Sequence, residues 1–264
     1  MSKKYLYLEG ASGISGDMTV ASLLDLGASQ EKLNHVLQSL QLEGFRQVIS
    51  RGQSYGMDGC VFDVLLESDE VHTPHESGHA AAHSTDHEDH HHHHHDHHEE
   101  PHRHHEHRNL ADVYAVIDRG EMSDRANALA KRIFLIVAEA EAKAHGRPIA
   151  EVHFHEVGAI DSIVDIVATA VCLDDLGVTD CIVTGLSEGT GFVHCQHGDL
   201  PVPVPAVALI AERYQIPLRM TSAKGEMVTP TGIAIAAALR THSELPAQFT
   251  IEKIGVGLGK RDFG

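Results

Sequence analysis

An α/β fold, a mixed sheet with packed helices interrupted by a disordered histidine-rich insert, is what this sequence predicts. Three observations carry the expectation. Segments of helical and of strand periodicity interchange along the chain, with no internal repeat. Hydrophobic residues make up 42% of the 264 positions, enough for a core. Aromatics are only 5% and Trp is absent, so aliphatic side chains and Ala must do the packing. Between residues 70 and 108, by contrast, nearly all large apolar side chains disappear.

Taken in order, YLYLE reads as a strand, and DMTVASLLDLG and QEKLNHVLQSL carry the apolar period of helices. FRQVISRGQSYGMDGCVFDVLLES reads as two strands about a Gly-rich turn. These form an N-terminal α/β segment, residues 1–69. In residues 70–108, 17 of the 24 histidines accompany nine acids and two arginines. Such a stretch buries too little surface to offset its ordering entropy, so it is expected to be disordered. A second α/β segment spans 109–264. NLADVYAVIDRG and SDRANALAKRIFLIVAEAEAKAHG read as helices, the latter capped by Ser123 and ended near Gly146 and Pro148. VHFHEV is strand-like, GAIDSIVDIVATAVCLDDLG helical and DCIVTGLS a strand. A Gly/Pro-rich loop leads to PAVALIAERY as helix, PLRMT as strand, TPTGIAIAAALR as helix and FTIEKIGVGLG as strand. The stop at Gly264, straight after that strand, reads as an interruption.

A formal net charge of -18 argues against nucleic acid or an anionic membrane as the main partner and suits cations. The N-terminus lacks a signal-peptide core, and no run is long enough to span a bilayer. Cys60, Cys172, Cys181 and Cys195 are scattered without a C-x-x-C pair, which indicates neither a disulfide framework nor a zinc ribbon. A reduced, cytoplasmic protein is expected.

Two kinds of histidine stand out. His90, His91, His92, His93, His94, His95, His97 and His98 belong to the biased tract. A purification tag or a hydrophilic linker would have this composition, but neutral imidazoles interleaved with carboxylates also bind borderline divalent metals. A flexible tract offers exchangeable sites, so it is read as collecting metal rather than doing chemistry. The quieter pair, His153 and His155, would share one face of a strand, with Glu156 following. The next helix is apolar nearly all round except for a stripe of Asp161, Asp165, Thr169 and Cys172. Buried carboxylates are costly unless paired, hydrogen-bonded or on a metal. The bland alternative is a solvated strand face with Asp161 favouring a helix dipole. A His/Asp site for a divalent metal, or for acid/base work, is the preferred expectation. His194, Cys195 and His197 repeat the chemistry in a Gly-bounded loop, a pattern that an ordinary exposed turn also explains.

EGASGISGDM places Gly10, Gly13 and Gly16 between strand and helix, where backbone N–H groups at a positive helix end suit phosphate. Asp17 is read either as the helix cap or as a ligand for a phosphate-bridging metal. Thr229 can cap a helix opened by Pro230, Thr231 and Gly232. Lys260 and Arg261 follow three alternating glycines and are candidate anion ligands.

In that order, ASGISGDM, the His-rich insert, HFHEVGAIDSIVDI, GTGFVHCQHGDLPVPVPA, MVTPTG and GVGLGKRD resemble the LarC family of nickel-insertion proteins, over nearly the whole chain. The resemblance implies delivery of Ni2+ to pyridinium-3,5-bisthiocarboxylic acid mononucleotide, completing the nickel-pincer cofactor of lactate racemase. It also implies CTP use with Mg2+ or Mn2+ in full-length members. A C-terminal nucleotide-handling domain, in cis or as a separate chain, is then a partner, as is the lactate racemase apoprotein, and the full-length protein is an oligomer. By motif position His153, His155, Glu156, Asp161 and Asp165 are the expected catalytic group. Gly13, Gly16, Asp17, Thr229, Thr231, Gly232, Lys260 and Arg261 are the expected cofactor-binding group. The residues by themselves give only a borderline divalent metal. A nickel store or metallochaperone without catalysis, and a divalent-metal phosphoester hydrolase, stay open as alternatives.

Overall fold

The computed structural model describes residues 3–67, 108–152, 154, 159–195, 198–261 and 263. The His-rich tract, His153, His155, Glu156 and His197 lie outside the described residues.

Where the 3.6-residue period and a cap signal coincide in the sequence, a helix forms. Helix α1 (Gly16–Leu26) and α2 (Gln30–Ser39) follow strand β1 (Leu6–Tyr7). Strands β2 (Phe45–Ser54) and β3 (Met57–Leu66) then make a long antiparallel hairpin. Helix α3 (Leu110–Ile117) opens on a capping box between Asn109 and Asp112. Helix α4 (Asp124–His145) opens on Ser123, whose hydroxyl accepts the Ala126 N–H, and closes at Gly146. Helix α5 (Ile160–Asp175) is buried over most of its surface and packs against α4, α1 and α2. Helix α6 (Pro205–Tyr214) and α7 (Pro230–Leu239) complete the helical set, with α7 carrying a buried run from Thr231 to Ala238.

The strands do not form one mixed sheet. Short β1, β4 (Cys181–Ile182) and β9 (Arg240–His242) make a parallel sheet in the order β1-β4-β9. Strand β5 (Leu186–Thr190) pairs in parallel with β8 (Leu218–Lys224). Strand β6 (Phe192–Cys195) and β7 (Gly198–Pro201) form an antiparallel ribbon. The observed architecture is mixed α/β, with seven α-helices and several small sheets among the described residues. A shared core of Phe134, Ile133, Ile163, Ile166, Ile210 and Ile233 lies where these helices and sheets meet. No helix among the described residues is long and apolar enough to cross a membrane.

Four local expectations differ from what is found, each for a hydrogen-bonding reason. The described residues of VHFHEV are not in a strand. The Val152 N–H closes a turn on Ile149, and the Phe154 N–H goes to Arg108 at 3.1 Å. Both side chains are buried, Phe154 against the edge of Phe134. DCIVTGLS divides into β4 and β5, because the Leu186 N–H turns to Pro217 at 2.9 Å and joins another sheet. The Gly/Pro-rich loop is instead the β6–β7 ribbon. FTIEKIGVGLG forms no strand: Gly257 makes a single bridge to Cys60, and the Val256 N–H is taken by the Asp25 carboxylate at 2.8 Å.

Ser123 tests the capping argument. Its hydroxyl also donates to Asp174 at 2.7 Å. Ser123→Ala is expected to lose about 1–2 kcal/mol in urea unfolding. Ser123→Asp, ordinarily a good cap, is expected to recover little of it, because the new carboxylate faces Asp174. Full recovery by Asp would show that the Asp174 contact is immaterial.

Candidate functional site

The stripe that was visible in the sequence survives in α5. Asp161 keeps solvent-accessible surface at the first turn, while Thr169 and Cys172 are buried. Asp165 Oδ1 and Thr169 Oγ1, one helical turn apart, are buried with no hydrogen-bond partner among the described residues.

Helix α1 starts directly on this stripe. A Cβ added to Gly16 would stand 2.5 Å from Asp165 Oδ2, so a larger residue there would push the two helices apart. Ser15 occupies the N-cap position, but its side chain caps no helix amide; its hydroxyl donates to Asp17. Asp17 is therefore not the cap: it lies in the first turn and accepts the Met18 N–H at 2.8 Å. The Asp17 amide is directed instead at Asp165. A carboxyl from α5 thus stands where the cap of α1 would, against the positive end of that helix.

Lys260 brings the opposite charge. Its Nζ donates to Asp63 Oδ1 on β3 at 2.5 Å, and its field reaches Asp17, Asp161 and Asp165. Desolvation works to lower the Lys260 pKa, but the Asp63 hydrogen bond and the surrounding carboxylates outweigh it and raise it. Desolvation raises Asp165 well above the usual carboxylate range, with the charges of Asp17 and Asp161 adding to it. Asp161, although its side chain still reaches solvent, is also raised, first by desolvation and only slightly by the charge of Asp17. Asp161 and Asp165 are thus desolvated carboxyls beside two buried oxygens, Asp165 Oδ1 and Thr169 Oγ1, that have no donor among the described residues.

The two Gly-bearing loops are laced together nearby. Gly13 has φ 85°, and a side chain there would strike the Met227 carbonyl. The Ile14 N–H donates to Met227 at 2.9 Å, and the Thr229 N–H donates back to Ile14 at 3.0 Å. Thr229 Oγ1 caps α7 by accepting the Gly232 N–H at 3.1 Å, Thr231 is buried, and Gly232 packs on the Ile14 carbonyl. Arg261 lies beside this loop, donating to the Glu226 carbonyl at 3.3 Å. Glu188 on β5 joins the assembly and was missed in the sequence. A lone acid inside the small-residue run LSEGTG was the available signal, and it lies where the expected strand was ended.

The third metal candidate is divided by the ribbon. His194 Nδ1 meets Asp199 Oδ1 at 2.8 Å on an exposed face shared with Phe192, which is 70% exposed. Cys195 alternates to the opposite face and donates its thiol to Gly198 at 3.4 Å. His194 and Cys195 therefore do not converge on one ion. Among the described residues, no three His, Cys, Asp or Glu side chains stand close enough to hold a metal.

Known proteins resemble this chain over nearly its whole length. The family described as "Nickel insertion protein" matches residues 6–264. This chain belongs to that family. A nickel insertion protein for pyridinium-3,5-bisthiocarboxylic acid mononucleotide from Alkaliphilus metalliredigens is 53% identical over 257 residues, 97% of this chain and 57% of its own length. The relative of the same description from Clostridium acetobutylicum is 44% identical, covering 98% of this chain and 61% of its own length. That from Acetivibrio thermocellus is 39% identical over 99% of this chain and 58% of its own length. The chain thus spans little more than half of the curated relatives it matches. No solved structure matches it. In this chain the carboxyl stripe, the Ser15–Asp17 turn and Lys260, distant in sequence, are neighbours in space.

Two measurements test this geometry. The raised Asp165 pKa means that the folded state keeps its proton to higher pH than the unfolded state, whose carboxyl titrates near 3.8. The associated stability is present below that value and is lost as pH rises through the folded pKa. In chelator-treated protein, Asp165→Asn is therefore expected to be stabilising by an amount that grows from pH 4 to pH 8 in denaturant unfolding. A gain that shrinks over that range would contradict the assignment. Burial also pushes the Cys172 and Cys181 thiols up to about 12, and Cys60 is buried as well. Native protein is expected to show one fast-reacting thiol, at Cys195, and all four only after denaturation.

Proposed function

We propose that this chain carries nickel to pyridinium-3,5-bisthiocarboxylic acid mononucleotide, acting as the nickel-handling part of a longer insertase. The observation that carries the reading is the convergence of Asp17, Asp161, Asp165 and Lys260 in a chain of this family. Nickel is the cargo. Asp161 and Asp165 supply carboxylate oxygen, with Asp17 adding negative field from the start of α1. His153 and His155 supply imidazole nitrogen to the same ion, and Glu156 assists proton movement. Binding of the dication is coupled to proton release from these carboxyls, because burial favours their neutral form in its absence. The carboxylates are harder donors than thiocarboxylate sulfur, so the ion passes from them to the substrate without a redox step.

Lys260 is the proposed contact for the substrate phosphate, since it already serves as counter-charge to the cluster. Arg261 and the residues Gly13, Gly16, Thr229, Thr231 and Gly232 form the proposed wall of that site. The His-rich tract, including His90–His95, His97 and His98, is proposed as a reservoir, and His194, Cys195 and His197 as accessory surface donors. CTP with Mg2+ or Mn2+, oligomer formation, service to lactate racemase and a cytoplasmic location are proposed for the longer protein.

The test separates insertion from storage. Nickel affinity is measured under a competing chelator for the parent, for Asp161→Asn with Asp165→Asn, and for a version lacking 70–108. The carboxyl variant is expected to lose the tightest nickel by at least about tenfold, about 1.4 kcal/mol. The deletion is expected to keep that nickel and lose only the weaker sites. The pair His153→Ala and His155→Ala is expected to abolish maturation of the mononucleotide by the longer protein. Nickel retained only through the tract would leave a store and end the insertase reading.

A further inference from the structure

Glu188 is buried at 0% exposure on β5, and none of the roles above uses it. Its Oε1 accepts three backbone N–H groups: Gly189 and Met227, each at 2.8 Å, and Val228 at 3.2 Å. Its Oε2 is also buried, with no partner among the described residues. A strand side chain is thus doing what a neighbouring strand's carbonyls ordinarily do, gathering two amides of the segment that leads into α7 together with the amide of its own next residue.

The consequence is a closed frame. The backbone of β5 holds one end of the first Gly loop, because the Ser187 N–H donates to the Gly10 carbonyl at 2.8 Å. The Glu188 side chain holds Met227 and Val228, and Val228 bridges to Ile14 at the other end of that loop. The Ile14 N–H to Met227 and Thr229 N–H to Ile14 bonds complete the frame. Two residues beyond Ile14, Gly16 presses on Asp165. The place where α1 begins, and so the separation of Asp17 from the α5 carboxyls, depends on how far Glu188 pulls the second loop in.

We infer that Glu188 is a positioning residue for the carboxyl cluster, acting through the two Gly loops and never touching the cation. This rests on the reading that Asp161 and Asp165 hold nickel. It predicts that the required feature is an acceptor oxygen at this reach, not a negative charge. Glutamine keeps that oxygen and places a nitrogen where Oε2 has no partner. Aspartate withdraws the oxygen by one methylene, and alanine removes it and strands three buried amides.

The experiment compares nickel affinity under a competing chelator for parent, Glu188→Gln, Glu188→Asp and Glu188→Ala, each well below its own unfolding temperature. Ser123→Ala serves as a control destabilised at a distance, and amide exchange is followed at Met227, Val228 and residues 16–18. Glu188→Gln is expected to match the parent. Glu188→Asp is expected to lose on the order of 10–100-fold in affinity and to lose protection at both loops. Ser123→Ala is expected to lose stability without losing nickel. Where Glu188→Ala does not fold, Glu188→Asp decides. A folded Glu188→Asp with parental nickel affinity overturns the inference, and so does a Glu188→Gln as weak as Glu188→Asp. If Asp161→Asn with Asp165→Asn leaves the parent's nickel unchanged, the site reading itself fails. If those substitutions remove nickel while Glu188→Asp does not, only the role of Glu188 is lost.

Discussion

The contact between the Asp165 carboxyl and the first turn of α1 is the constraint on which the arrangement depends. An acid in the middle of a helix as apolar as α5 has to be compensated. Here the compensation comes from a helix far away in sequence, whose glycine start allows the approach and whose positive end faces the carboxyl. Lys260, on a segment more than 200 residues from Asp17, adds its charge and is steadied by Asp63 of β3. Even so, Asp165 Oδ1 and Thr169 Oγ1 keep no donor among the described residues. The core thus holds a partly compensated acid beside a lysine.

The Gly loops contribute differently from what their composition suggests. Gly-rich turns before helices are familiar anion cradles because their amides point outward. In this chain the amides of Ile14, Met227, Val228, Thr229 and Gly232 bind within the protein. The glycines serve close approach of one loop to the other, and that rigid union fixes where α1 and α7 begin. Positive charge for an anion comes from side chains, Lys260 first.

Under the proposed role, these features suit transient rather than resident metal binding. A resident structural ion calls for a closed set of donors whose charges balance it. Carboxyls that repel one another, and whose burial favours the neutral form, give a weaker grip that a softer ligand can break. The family's description names nickel, while the oxygen donors in the described residues would suit several divalent ions.

Much of this was legible in the sequence, and the reasons are local. The helices of α1 to α7 follow from periodicity and caps such as Ser123, Asn109 and Thr229, which act over three or four residues. The polar stripe Asp161, Asp165, Thr169 and Cys172 was legible for the same reason, as a one-helix pattern. What failed were segments whose hydrogen bonds are made with distant chain. VHFHEV and FTIEKIGVGLG have strand composition, but Phe154 pairs with Arg108 and Val256 with the Asp25 side chain. DCIVTGLS changes sheets because Pro217 offers Leu186 an acceptor. Strand pairing is a choice among remote partners, and composition does not name them. His194 and Cys195 are adjacent in sequence but face opposite ways, once the loop is a ribbon. The juxtaposition of Asp17 with Asp165 and the clamp made by Glu188 belong to tertiary structure alone. Sequence determined which helices form and which polar side chains they bear. Only packing decided which carboxyls share one space, because their repulsion, desolvation and shared lysine exist only after distant helices meet.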